Sequence, residues 1–270
     1  MWIPSDVRRP NTMLPALIAA MLLSRATAQA GGVGPGSSEP ASPFELQVAA
    51  SMEQQRDGYY AQIDEALGAV ARWFSDAGYA VSKAELVRTA VVFDDIEKAR
   101  DAVARHFGVD PSAVPDSFSG TVDSATLFLV SREIYRNTYE RLYPEWPWVD
   151  EDYRGLIVHE IAHQAHSRIA LSRFGSEEAM GPRWFFEGLA ILCAGNFLTS
   201  ETAVSRLSWD QFMACVEKDA HESLSYPIYG RMIRSLTLSF PVGYLIDHAR
   251  DKDFPASLRE GYVRSELPAK

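Results

Sequence analysis

The chain is 270 residues long, 47% hydrophobic and 23% charged. That balance excludes collagen-like, coiled-coil and wholly disordered chains, and the length is enough to bury a sizeable core in one or two domains. Lys and Arg total 26 against 36 Asp and Glu, a formal charge of −10. An acidic chain without a basic block lacks the electrostatic footprint of a phosphate-backbone binder, so nucleic acid is not an expected partner.

In chain order, the first thirty residues read as an address. Arg8 and Arg9 precede the apolar run Met13 to Leu23, and Ala28-Gln29-Ala30 has the small residues of a cleavage site. Together these predict a secretory signal peptide cut before Gly31. The run is shorter than the roughly 20 apolar residues of a membrane span; an uncleaved N-terminal anchor is the alternative. Residues 31–44 open with GGVGPGSSEPASP, which cannot bury enough apolar surface to offset its ordering entropy, and read as a flexible linker. No other stretch approaches spanning length. The expected product is a soluble exported protein, periplasmic or extracellular, without stable membrane insertion.

Residues 47–78 place Ile63, Leu67, Val70, Ala71 and Phe74 at helical spacing, ending near Gly78. Leu86–Phe93 is β-branched and reads as a strand. Asp94 and Asp95 can cap a helix running to about Phe107, stopped by Gly108 and Pro111. Residues 109–121 read as a loop and Ala125–Val130 as a second strand. Helices are then predicted over 132–142, 150–173, 182–195, 209–219 and 228–250, with Ser208 to Gln211 as a capping box. The pattern fits one α+β domain over 45–270, not a doubly wound parallel sheet. Two cysteines, Cys193 and Cys215, sit in apolar helical surroundings. Export permits a disulfide, burial of two free thiols is equally consistent, and spacing does not decide between them.

The chemistry concentrates in His159-Glu160-Ile161-Ala162-His163, an H-E-x-x-H inside an apolar helix. Residues four apart on a helix share a face, so both imidazoles can point at one metal ion. Glu160 lies beside them, where a carboxylate can take a proton from water at the metal. From this chain's own His and Glu frequencies the motif arises by chance about once in a hundred such sequences. The alternative is a buried helix with two satisfied core histidines, but two His and a Glu on an apolar face are costly unless bound to something.

A zinc site needs a third protein ligand. His166 lies seven residues after His159, two helical turns or about 10 Å along the axis, and reads as a polar neighbour or an exposed residue. Ile169 occupies the last position of H-E-x-x-H-x-x-G-x-x-H, which excludes the metzincin pattern. Glu187, a lone carboxylate in PRWFFEGLA, is the better ligand. Pro182 suits the start of its helix, and Gly188 permits close backbone packing. A buried salt bridge from Arg183 at i−4 is the alternative partner for Glu187.

HEIAH followed by the Glu of PRWFFEGLA resembles the gluzincin metallopeptidases, in particular the bacterial peptidase MA-like families, over roughly residues 85–250. The resemblance implies a zincin-like α+β fold: a small mixed sheet whose edge strand receives the substrate, an active-site helix, and a mostly helical C-terminal part. Ala125–Val130 is the candidate edge strand, which would bind a peptide by strand addition. It implies one zinc per chain on His159, His163 and Glu187, with Glu160 as general base. In such families a C-terminal Tyr or His stabilises the oxyanion. Here Pro241 interrupts the corresponding helix and Leu236 stands where the Tyr is sought. Tyr226, Tyr229, His221 and His248 remain, of which Tyr229 is chosen.

The expected function is therefore exported, zinc-dependent hydrolysis of a peptide or protein substrate. The rival is a non-catalytic zinc scaffold or binding protein. Glu160 favours the enzyme, since a structural site has no need of a non-ligand acid; the lack of an obvious oxyanion donor favours the rival. The sequence carries no signal for oligomeric state.

Overall fold

The computed structural model describes residues 44–144, 146–196, 208–218 and 226–265. Residues 1–30, expected to be a signal peptide, residues 31–43 of the expected linker, and His221 lie outside these. Phe44, assigned by composition to the leader, is buried and stacks on Tyr60 at 4.7 Å between ring centroids.

Strand β1 (Glu45–Val48) leads through a 3₁₀ turn into helix α1 (Arg56–Asp76), then come the short α2 (Lys83–Leu86) and β2 (Thr89–Phe93). Helix α3 (Ile96–Phe107) starts where Asp95 accepts from the Lys98 backbone N–H at 3.0 Å and ends at Gly108 with φ 68°, as an N-cap and a left-handed C-cap require. Strands β3 (Gly120–Asp123) and β4 (Thr126–Val130) form a hairpin. Beyond it run α4 (Arg132–Leu142), α5 (Glu151–Phe174), a 3₁₀ turn (Glu177–Met180), α6 (Arg183–Ala194), α7 (Trp209–Lys218), α8 (Tyr226–Leu236), α9 (Val242–His248) and α10 (Phe254–Ser265). The class is α+β, helix-rich with a small mixed sheet.

The sheet order is β1-β2-β4-β3, with β1, β2 and β4 parallel and β3 antiparallel to β4. β2 and β4 are hydrophobic runs because they are internal to the sheet. The expected edge strand is thereby corrected: Ala125–Val130 becomes β4, paired on both sides, and the edges are β1 and β3, of which β3 packs on α5. Residues 120 and 121, expected in a loop, open that strand. Its turn is only Ser124-Ala125, both with positive φ (49° and 70°), the pattern of a type I′ hairpin without its usual Asn-Gly. The long helix expected over 228–250 is two, α8 and α9, with Pro241 as N-cap of the second. The capping box before α7 forms: Ser208 N–H donates to Gln211 and Gln211 N–H to Ser208 Oγ.

Helix α5 is the axle of the site. It packs on α1, α6 and β3, and buried residues such as Ile157, Ile161, Ala165 and Ile169 fix its rotation. α6 in turn lies against α8. A Cβ on Gly188 would come 2.6 Å from Ile233 Cγ1 and 2.7 Å from the Tyr229 carbonyl oxygen, so glycine there sets the helix–helix distance. Cys193 and Cys215 are both free thiols. No helix among the described residues is long and apolar enough to cross a membrane.

Candidate metal centre

Because α5 is held by its apolar face, His159 and His163 project one turn apart toward α6. Their Nε2 atoms are 3.0 Å apart, with ring planes at 89°. Glu187 reaches in from α6 with Oε2 3.3 Å from each Nε2. These three side chains are 14%, 18% and 10% exposed. Oε2 is buried and makes no well-formed hydrogen bond despite its two close neighbours. The two Nε2 atoms are within hydrogen-bond distance of each other, while Oε2, the third atom at the point of convergence, is left without a partner. The group could hold a metal ion.

Burial opposes ionisation of Glu187, but the facing His163 and His159 outweigh it and hold the carboxyl well below its usual range. Oε1 points the other way, 3.9 Å from Arg183 Nε. The salt bridge weighed from sequence and the ligand role are therefore compatible, one oxygen serving each.

Glu160 does not join the converging group. It lines the adjoining cavity, of roughly 430 Å³, beneath the edge strand. A Cβ on Gly120 would lie 3.1 Å from Glu160 Cγ, so glycine lets β3 descend onto this carboxylate. Burial pushes Glu160 up to about 7; His159 opposes that shift and Glu187 adds to it.

The residue chosen for the oxyanion role sits elsewhere. Tyr229 is buried, with its ring edge-on to Phe212 and its backbone against Gly188, and does not line the cavity. Tyr226, one turn earlier at the start of α8, does. Its ring is 6.0 Å from that of His159, and Arg183 hydrogen-bonds its phenol oxygen. Helix α8 begins at Tyr226 and not at 228, and this first residue faces the cavity. His248 instead pairs with Asp251 at 2.7 Å on the surface.

His166, expected to be a polar neighbour or exposed, is 1% exposed. It packs edge-on against Phe185, and neither ring nitrogen has a hydrogen-bond partner. Burial, with His163 nearby, lowers its pKa to about 3. The sequence offered no sign of this, because α6 supplies the covering ring from nineteen residues downstream.

Comparison with protein-family models finds none that matches the chain, and comparisons with curated proteins and with solved structures find no match either.

Proposed function

We propose that the chain is a zinc-dependent metallopeptidase, exported after removal of residues 1–30, with one zinc on His159, His163 and Glu187. The observation that carries this reading is the convergence of those three atoms with an unligated Glu160 beside them. Zinc–nitrogen bonds of about 2.0–2.1 Å in a tetrahedron separate neighbouring ligand atoms by roughly 3.3–3.4 Å. The spacings of 3.0 and 3.3 Å fit that requirement. Three protein ligands also leave a fourth position, as catalytic zinc sites do.

Held by His159, His163 and Glu187, a zinc would supply Lewis acidity for the scissile carbonyl and would acidify the attacking water. The chain's own groups do the rest. Glu160 accepts the proton from that water and delivers it to the leaving amine, a role suited to an acid poised near neutrality. Tyr226, its phenol oxygen held by Arg183, turns its O–H toward the carbonyl oxygen as charge develops there. The open edge of β3 takes the peptide as an added strand. With Tyr226 as a candidate oxyanion donor lining the cavity, the observation that favoured a non-catalytic scaffold loses its force.

The test is Glu160→Gln, which preserves size and hydrogen bonding but cannot accept the proton. Peptide hydrolysis should fall at least about 10²-fold while the metal is retained. A variant as fast as wild type, or a fully metal-loaded wild type that cleaves nothing in a broad peptide library, contradicts the proposal.

A further inference from the structure

On α5, Glu160, Gln164 and Ser167 follow at i, i+4 and i+7 and so share one face, next to the stripe that carries the histidines. All three line the cavity, which continues past Glu160 as a groove between β3 and the 3₁₀ turn. Carboxylates stand on both walls at its far end. Asp123, the last residue of β3, is on one side, and Glu177 is on the other. Each is anchored through one oxygen only: Asp123 Oδ2 contacts His106 Nε2 at 2.9 Å, and Glu177 Oε1 accepts from Ser167 Oγ. The second oxygen of each has no hydrogen bond among the described residues. Gln164 lies between them and the metal ligands. It is 7% exposed, lines the cavity, and likewise has no hydrogen-bond partner among the described residues. Its amide atoms are not among the buried polar atoms that lack a partner; they open to the cavity that Gln164 lines, where a ligand can reach them. The sole Arg or Lys among the described lining residues is Arg183, at the metal end beside Glu187. Among the described residues no Arg or Lys within the groove neutralises Asp123, Glu177 or the adjacent Glu178; His106 touches Asp123 from α3, outside it.

We propose that this groove is a cation subsite, in which Asp123 and Glu177 clasp an ammonium or guanidinium group of the peptide while Gln164 bonds its backbone. From Glu160 to Ser167 is seven residues, about 10 Å along the helix axis. A lysine or arginine one or two residues from the scissile bond, or a free amino terminus two or three residues from it, spans that length. The inference deepens the peptidase reading and rests on it.

The test measures binding to full-length, zinc-loaded Glu160→Gln protein by calorimetry. The probes are matched hexapeptides with lysine at successive positions, the same peptides with norleucine, and N-acetylated forms of each. At least one cationic peptide should bind tenfold or more tightly than its neutral counterpart. Adding Asp123→Asn and Glu177→Gln, which keep the contacts to His106 and Ser167, should abolish the difference. An advantage lost on acetylation assigns the cation to the amino terminus; one that follows lysine position assigns it to a side chain. Equal binding of cationic and neutral peptides, no binding of any cationic peptide, or an advantage that survives both substitutions overturns the proposal. The readout is separable from the peptidase reading. Wild type that discriminates charge but cleaves nothing refutes the peptidase alone, and cleavage without charge preference refutes the subsite alone.

Discussion

The two walls of the cavity are built on different physical terms. The helical wall, α5 with α6 and α8, is packed closely enough that a single Cβ at Gly188 would strike backbone, and it holds His159, His163 and Glu187 to within 3.3 Å of one another. The other wall is a four-residue edge strand closed by a two-residue turn in a conformation that L-residues avoid. Groups that hold a metal need positions fixed to a fraction of an ångström, which interlocked helices supply. A surface that receives an extended chain needs unpaired backbone, which only a sheet edge offers. The contrast teaches that rigidity and openness are separate requirements, met here by separate elements of one cavity.

The comparison can be broken or sharpened in order of expected effect. The helical wall should gain most from its ligand. A metal at a thousand times its Kd stabilises the folded chain by about 4 kcal/mol. Chelation should then lower the melting temperature by roughly 10 °C in a domain of this size, and Glu187→Ala protein should not respond to the chelator. A wild type indifferent to chelation would mean that the wall is held by packing alone.

His166 is the counter-example within that wall, a polar group buried with nothing to satisfy it. Its folded pKa of about 3 lies below the ordinary 6.5, so below pH 6.5 the unfolded chain binds a proton that the native state refuses. Its contribution to stability is therefore full above pH 6.5 and declines as pH falls toward 3. The loss amounts to about 3 kcal/mol between pH 7 and 4. Urea unfolding across that range should show the loss in wild type and a flatter profile in His166→Leu. Identical profiles would show that the imidazole finds a partner.

Gly188→Ala should cost about 1–3 kcal/mol, since the new Cβ meets Ile233 and the Tyr229 carbonyl and forces α6 from α8. Circular dichroism melts check this, and a neutral result would deny the tight packing. On the other wall the sign reverses. Ala125→Gly relieves a φ of 70° and should stabilise by about 1 kcal/mol, read as a rise in the denaturant midpoint.

What was legible in the sequence follows the same division. The motif spacing of HEIAH and the lone acid of PRWFFEGLA brought together the residues that do converge, because helical periodicity is local information. The pairing of β3 is not local. Gly-Thr-Val-Asp is too short and too polar to announce a strand, and Ser-Ala lacks the Asn-Gly signature of a tight hairpin. β4 was therefore mistaken for the edge. Of the four candidates the sequence does not single out Tyr226, which lies two residues before the expected helix start at 228 and is in fact the first residue of α8. Three residues displace a ring by about 4.5 Å along the helix axis, which separates Tyr226, lining the cavity, from Tyr229, packed on Phe212. The burial of His166 was hidden because Phe185, which covers it, belongs to another helix.

The most direct test of the central claim is elemental analysis of purified wild type, His163→Ala, Glu187→Ala and Glu160→Gln. The account predicts one zinc per chain in wild type and in Glu160→Gln, and loss of zinc in the other two. Unchanged stoichiometry in His163→Ala or Glu187→Ala, or zinc lost from Glu160→Gln alone, would contradict it.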